Sequence, residues 1–195
     1  ALDVLPFVPI SGATMEDCVE IANKVGSRIA RPLKIPGYMY EAAAKRPERK
    51  NLEVVRRGQF EGLREAILTD DSRYPDYGPR AVHPTAGATA VGARMPLVAF
   101  NVNLRSEDVE VAKAIAKKIR TSGGGLPCVK ALGFHLSERK MVQVSMNLTD
   151  YTVTPISKVF LEVMKEAEGH GVELAESEII GLIPLDAVCD LAGRC

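Results

Sequence analysis

The sequence predicts an α+β fold with helices on one face of each mixed sheet, and three observations carry that expectation. Apolar and polar residues alternate over short runs such as "LVAFNVNL" and "MVQVSMNL", the two-residue period of strands whose faces meet different surroundings. Between such runs, apolar residues recur three and four apart, as on the covered side of a helix. From Leu97 onward the runs succeed one another as β-α-β-β-α-β, the split βαβ or ferredoxin-like order.

The elements follow along the chain. "ALDVLPFVPI" reads as a strand, and Thr14 and Asp17 stand at capping-box spacing before one amphipathic helix, marked by Met15, Cys18, Ala22, Val25 and Ile29 and stopped at Pro32. "GYMYEAAA" is a second strand. "KRPERKNLEVVRRGQFEGLREAI" is strongly charged with weak periodicity and reads as a helical connector. After the strand "LVAFNVNL", Ser106 caps a helix with the stripe Val109, Ala112, Ile115, Ala116 and Ile119, ended by "SGGG". "VKALGFHL" and "MVQVSMNL" flank the polar turn "SERK" as a hairpin. Thr154 then caps, Pro155 takes the first helical position, and Ile156, Val159, Phe160, Val163, Met164 and Ala167 form the next stripe. A strand around "SEIIGLI" and a short helix from Pro184 complete the unit. The expected division is a partial N-terminal subdomain over 1–45, resembling the back half of a similar domain, a helical connector over 46–76 and the ferredoxin-like C-terminal subdomain over 77–195.

A chain of 195 residues should bury about 70% of its unfolded surface, and 46% hydrophobic with 26% charged residues is ordinary globular composition. The formal net charge of zero offers no general attraction to nucleic acid or an anionic membrane, so any anion recognition must be local. Cys18, Cys128, Cys189 and Cys195 fall at irregular distances and the three histidines are scattered. That pattern predicts no metal site, cysteines acting as small buried hydrophobes, and a reduced, cytoplasmic protein. No apolar run approaches the ~18 residues of a membrane span. Because the chain opens in mid-strand without a methionine, residues are expected to precede Ala1.

Alternation sends Val98, Phe100, Val102 and Leu104 to one side and Leu97, Ala99, Asn101 and Asn103 to the other; in "MVQVSMNL" it separates Val142, Val144, Met146 and Leu148 from Met141, Gln143, Ser145 and Asn147. The uncovered face of the central strands should therefore be an uncharged wall of amides and a hydroxyl. Such a wall suits either a half-buried site for a polar ring or an interdomain interface. A ferredoxin-like RNA reader would carry stacking aromatics there, and Phe100 points the other way.

The second candidate region is "GPRAVHPTAGATAVGAR", residues 78–94. Gly87 and Gly92 have the spacing of a phosphate loop, but Ala93 and Arg94 replace its Lys and Ser or Thr. Gly78, Gly87 and Gly92 instead let backbone approach a flat or anionic ligand, with Arg80 and Arg94 as forked donors to carboxylates; a plain hairpin is the competing reading. His83, before Pro84, and His135, placed on the amide face by alternation, are candidate acid–base groups, whereas His170 suits the capping of helix carbonyls.

"ALDVLPFVPISG", "YMYEAAAKRPERKNL" with "RRGQFEGL", "PDYGPRAVHPTAGATAVGAR", "LVAFNVNL", "VQVSMNLTDYTVTP" and "IIGLIPLDAV", in this order, resemble the glutamate formiminotransferase family, whose unit also forms the transferase part of formiminotransferase-cyclodeaminase. The resemblance implies transfer of a formimino group from N-formimino-L-glutamate to tetrahydrofolate, the folate being a co-substrate and no metal being needed, within histidine degradation. It also implies two ferredoxin-like subdomains whose sheets face each other around the substrates, in a homodimer without nucleic-acid or membrane partners. The family's catalytic histidine lies in a His-Pro-Arg segment just before the Ala-Leu-Asp-Val strand, hence ahead of Ala1. Neither His83 nor His135 inherits its role, and the 195-residue piece alone is expected to be inactive. The family's folate-binding loop maps onto roughly Tyr77 to Gly87, so Tyr77, Gly78, Pro79, Arg80, His83, Pro84 and Gly87 join Arg94, Asn101, Asn103 and Asn147 as expected substrate-binding residues, with Asp3 as an orienting carboxylate. The alternative is a non-catalytic or split folate-binding module that needs another chain.

Overall fold

The computed structural model describes residues 3–191, and the chain divides after Met95 into two compact units. In the first, strands β1 (Val4–Phe7), β2 (Gly37–Glu41) and β3 (Thr89–Ala93) form a sheet of order β1-β3-β2. Both pairings are parallel, with Val4 and Tyr38 each opposite Ala90. Helix α1 (Met15–Leu33) starts at the expected capping box: Asp17 N–H donates to the Thr14 hydroxyl at 3.1 Å and Thr14 N–H to the Asp17 carboxylate at 2.8 Å. Those Thr14 donors, the backbone one first, hold the Asp17 carboxyl below its ordinary value. The helix continues one residue beyond Pro32 and stops where Lys34 turns left-handed.

Helices cover this sheet on both faces rather than on one alone. Cys18 and Ala22 of α1 pack with Leu5, Phe7, Met39, Val91 and Ala93. On the opposite side Val4, Tyr38, Tyr40 and Ala90 meet Val55 of α2 (Leu52–Val55) and Leu63 and Ile67 of α3 (Gln59–Thr69). Parallel strands are ordinarily buried on both faces, and two apolar faces need two covers. The 46–76 segment, expected to be a connector, supplies the second cover, and the stretch 77–94, expected in the rear subdomain, supplies the central strand of the front one.

What fastens the charged segment is a buried ion pair. Arg49, in the short turn Pro47–Lys50, places Nη1 2.8 Å from Asp76 Oδ2, and both side chains are about as buried as core residues, at 4% and 3% exposure. The same carboxylate oxygen accepts the Met39 N–H of β2 at 2.7 Å, and Arg49 Nη2 donates to the carbonyls of Ser72 and Tyr74. Burial of these charges is tolerable because each is met by an opposite charge and further hydrogen bonds.

The second unit contains β4 (Val98–Leu104), α4 (Val109–Ile119), β5 (Val129–Leu136), β6 (Met141–Leu148), α5 (Ile156–Gly169), β7 (Leu174–Ile180) and α6 (Leu185–Leu191). Its sheet has order β5-β6-β4-β7, antiparallel at every pairing, which is the ferredoxin-like topology. Val98, Phe100, Val102, Leu104, Val142, Val144, Met146 and Leu148 lie in one core with Ala112, Ile115, Ile119, Val159 and Val163, as the alternation requires. The caps shift slightly. Asp108 receives the Glu110 N–H that Ser106 was expected to attract, while Ser106 accepts the Asp108 N–H. Thr154 turns its buried hydroxyl to the Pro127 carbonyl at 2.6 Å, leaving Pro155 as the capping residue of α5.

Asp76→Asn leaves the Arg49 charge buried without its counter-ion and should lower unfolding free energy by about 3–5 kcal/mol in urea titration. Lys24→Ala, which removes the exposed pairing with Glu20, should change it by less than about 0.5 kcal/mol.

Candidate functional site

The segment 77–94 is held by its own unit at most of its polar positions. Tyr77 donates its hydroxyl to Asn23 Oδ1 at 3.0 Å and lies beneath the Lys45 ammonium, 3.7 Å from the ring centroid. Gly78 has φ +89°, and a Cβ there would stand 3.0 Å from the Ile35 carbonyl oxygen and 3.1 Å from Ala30 Cβ. Packing on the end of α1 thus demands glycine at this position. Pro79 is half-buried and Pro84 exposed. The space above Gly92 is filled by the Tyr40 ring, 2.6 Å from where its Cβ would be, so Gly92 admits a side chain of its own unit.

Arg80 directs Nε to the Ile67 carbonyl at 3.0 Å and Nη2 to the Leu68 carbonyl at 2.7 Å, and stacks on Tyr74. Its fork therefore serves the C-terminal end of α3. Arg94 donates Nη1 to the Met95 carbonyl at 2.9 Å. Burial raises the Tyr40 hydroxyl's pKa, and the nearby Arg94 charge opposes that rise. His83 and Gly87 exchange backbone hydrogen bonds of 2.8 and 3.0 Å, closing the turn over Pro84. Inside it, His83 Nδ1 accepts the N–H groups of Ala86 at 3.0 Å and Thr85 at 3.3 Å, which assigns the neutral ring's proton to Nε2.

Next to this turn the first unit opens into a cleft of about 280 Å³, lined among others by Asp3, Tyr38, Arg56, Gln59, Phe60 and Gly87. Asp3 and Arg56 form an ion pair of 2.8 Å at its rim. Tyr38 donates its hydroxyl to the Arg73 carbonyl at 2.7 Å, and burial pushes its pKa up to about 12, so the cleft presents it neutral. Of the expected site residues, the cleft brings Asp3 and Gly87 together. Arg56, Gln59 and Phe60 come from the stretch whose weak periodicity marked it only as a connector.

In the second unit the uncovered sheet face is polar, as expected, but it is not uncharged. Register places Glu178 beside Asn101 and Glu176 beside Asn103. Asn101 Nδ2 donates to Glu178 Oε1 at 3.1 Å and Asn103 Nδ2 to Glu176 Oε1 at 2.8 Å. Gln143 Nε2 links both branches, 2.9 Å from Asn103 Oδ1 and 3.0 Å from Glu178 Oε1, while Arg139 pairs with Glu176. Asn103 is fully buried and Asn147 exposed. The Asn103 hydrogen bond, followed by Arg139, holds the Glu176 carboxyl below its usual value. Glu176 lies outside the strand expected from Ser177, and Glu178 lies within it; β7 starts at Leu174, and the alternation of "LAESEII" sets both carboxylates on the amide side.

One histidine expectation is corrected. His135 lies opposite Val142, whose side chain is in the core, so it is Phe134, opposite Gln143 and 45% exposed, that shares the amide face. His135 Nδ1 instead meets Ser137 Oγ at 3.2 Å. His170 is the capping residue of α5, as expected, donating its backbone N–H to the Glu166 and Ala167 carbonyls. Cys18 is buried and Cys128 and Cys189 half-buried, all three free; Cys195 lies outside the described residues. Among the described residues no three His, Cys, Asp or Glu side chains gather as metal ligands, and no helix is long and apolar enough to cross a membrane.

A ferredoxin-like unit with a polar sheet face, following in the chain an α/β unit with a cleft, defines a two-subdomain α+β protein. Residues 1–94 match the N-terminal subdomain of the formiminotransferase domain and residues 99–194 match the formiminotransferase domain itself, meeting where the two units divide. The chain belongs to the formiminotransferase family. It is 52% identical over 192 residues to the glutamate formimidoyltransferase of Streptococcus pyogenes serotype M1 and 46% identical over 194 residues to that of Thermoplasma acidophilum. Each match covers 98% of this chain, and 64% and 63% of those proteins. It is also 41% identical over 198 aligned positions to the formimidoyltransferase-cyclodeaminase of Mus musculus, again across 98% of this chain but 36% of that protein. The chain thus spans less than two thirds of the length of these relatives.

Asn103→Ala should let Glu176 titrate closer to the ordinary glutamate value of 4.5, read from its side-chain carboxyl resonance against pH. A depressed folded value contributes stability that is present above the unfolded carboxylate pKa and lost as pH falls through the folded one. The variant should lose that part of the acid slope.

Proposed function

We propose that the protein acts in transfer of the formimino group from N-formimino-L-glutamate to tetrahydrofolate, giving 5-formiminotetrahydrofolate and glutamate. The observation that carries this reading is the match to glutamate formimidoyltransferase at 52% identity over 98% of the chain. In the reaction the N5 lone pair of tetrahydrofolate attacks the formimino carbon, a tetrahedral adduct forms, and the bond from that carbon to the glutamate nitrogen breaks. The proton lost from N5 is returned to the departing nitrogen by a general base turned acid, a role we assign to no residue among those described. The chain's part is to hold two anionic substrates in register, which converts a bimolecular encounter into an intramolecular one.

The residues divide in this reading between the loop and the sheet face. Tyr77, Gly78, Pro79, His83, Pro84 and Gly87 form the folate loop, with Arg80 shaping it through its hold on α3. The amide face offers donors from Asn101, Asn103 and Asn147, acceptors from Glu176 and Glu178, and the ring of Phe134 for a pteridine. Arg94 is a carboxylate donor whose present partner, a carbonyl, is uncharged. A cytoplasmic homodimer without a metal, nucleic-acid or membrane partner accompanies this reading, and the balance of 25 basic against 25 acidic residues favours no general polyanion binding.

Calorimetric titration with tetrahydrofolate and with N-formimino-L-glutamate tests the proposal. Saturable binding of both is expected, and Arg94→Ala should weaken one of them by about tenfold or more. Absence of saturable binding of either substrate would overturn it.

A further inference from the structure

We infer that the cleft of the first unit seats an amino-acid ligand bearing a carboxylate and a planar cation, with Arg56 receiving the carboxylate and Asp3 the cation. The inference rests on the function proposed above, in which N-formimino-L-glutamate is such a ligand: its carboxylates are anionic and its formimino group is a strongly basic amidine, planar and protonated at neutral pH.

Three features of the cleft select this class. The first is the state of its charges. Of the two arginines that line it, Arg73 gives its fork to the carbonyls of Val54, Val55 and Arg57. Arg56 differs: among the described residues its guanidinium meets Asp3, in a pair whose side chains are 45% and 65% exposed. An ion pair this open to solvent is weakly held and exchangeable. A ligand carrying one charge would replace one partner and leave the other facing it with the wrong sign or none. A ligand carrying both charges replaces both partners at once, and the pair it displaces is a template for its own charge arrangement.

The second feature is the wall. Phe60, 44% exposed, lies against Gly87, where a Cβ would approach its ring to 3.3 Å, and Val55, Leu63 and Ala90 complete an apolar floor beneath it. A planar amidinium meets favourable ground over such a ring, since the aromatic face attracts cations. Tyr38 beside it stays neutral and adds no competing charge. The third feature is size. About 280 Å³ is at or below the lower end of ordinary small-molecule pockets, enough for a derivatised amino acid and too little for a whole folate.

Titration calorimetry of wild type, Asp3→Asn and Arg56→Gln with N-formimino-L-glutamate, N-acetyl-L-glutamate and tetrahydrofolate tests the assignment. N-acetyl-L-glutamate keeps both carboxylates but carries a neutral planar group. Asp3→Asn should raise the Kd for N-formimino-L-glutamate at least tenfold while leaving that for N-acetyl-L-glutamate unchanged or lower. Arg56→Gln should weaken both, and tetrahydrofolate affinity and the melting midpoint should not move in either variant. If wild type binds N-formimino-L-glutamate and both variants bind it equally well, the site is wrong while the proposed function stands. If wild type binds neither N-formimino-L-glutamate nor tetrahydrofolate, the proposed function falls and the site with it.

Discussion

The first unit depends on the buried contact between Arg49 and Asp76. Neither residue belongs to the sheet, yet Asp76 also takes the Met39 N–H and Arg49 also holds the carbonyls of Ser72 and Tyr74, so strand, charged segment and glycine-bearing loop are tied at one point. Everything on the α2–α3 side follows. Leu63 and Ile67 cover Tyr38 and Tyr40, Arg73 fastens α2, and the wall of the cleft stands where it does because this segment is drawn down onto the sheet. A pair of charges removed from water is seldom a source of net stability. Its worth here is positional: the pair admits one arrangement in which both charges are met.

The second unit solves a related problem with different chemistry. Two carboxylates next to one another on a sheet face repel, and here three amide side chains stand among them as donors, with Gln143 bridging one carboxylate to the carbonyl of the amide that serves the other. Such a network orients every member, because an amide has one donating and one accepting end. The face is therefore both charged and ordered. That combination differs from a solvated face of lysines and glutamates, whose side chains would sample many rotamers.

How much of this could be read from residues alone follows the reach of local pattern. Strands and helices with a clean period, such as Val98–Leu104, Met141–Leu148 and the α1 and α5 stripes, were legible, because alternation and helical spacing record which side is covered. The role of residues 46–76 was not. Its apolar contacts are few and set among arginines and glutamates, and the ion pair that folds it back joins residues far apart in sequence. The same limit hid Arg56 and Phe60, which belong to the cleft only once α2 and α3 are seated. His135 was misplaced by a different route: one residue of register reverses a strand's faces, and nothing within "VKALGFHL" marks which of two readings is correct. Glu176 was within reach and was lost to a strand start set three residues late, whereas Glu178 lay inside the expected strand and only its face went unassigned.

The position of β3 in its sheet has a kinetic consequence. Among the described residues β1 and β2 do not pair with each other; the ladder of each is with β3, which is the last of the three to be synthesised. Until residue 89 has left the ribosome, the ladders that β1 and β2 form with β3 cannot exist. Closure of the front unit is thus a late event across a long loop, whereas the rear unit can pair β5 with β6 as soon as their hairpin exists. During translation those two parallel ladders wait on the strand that lies between them.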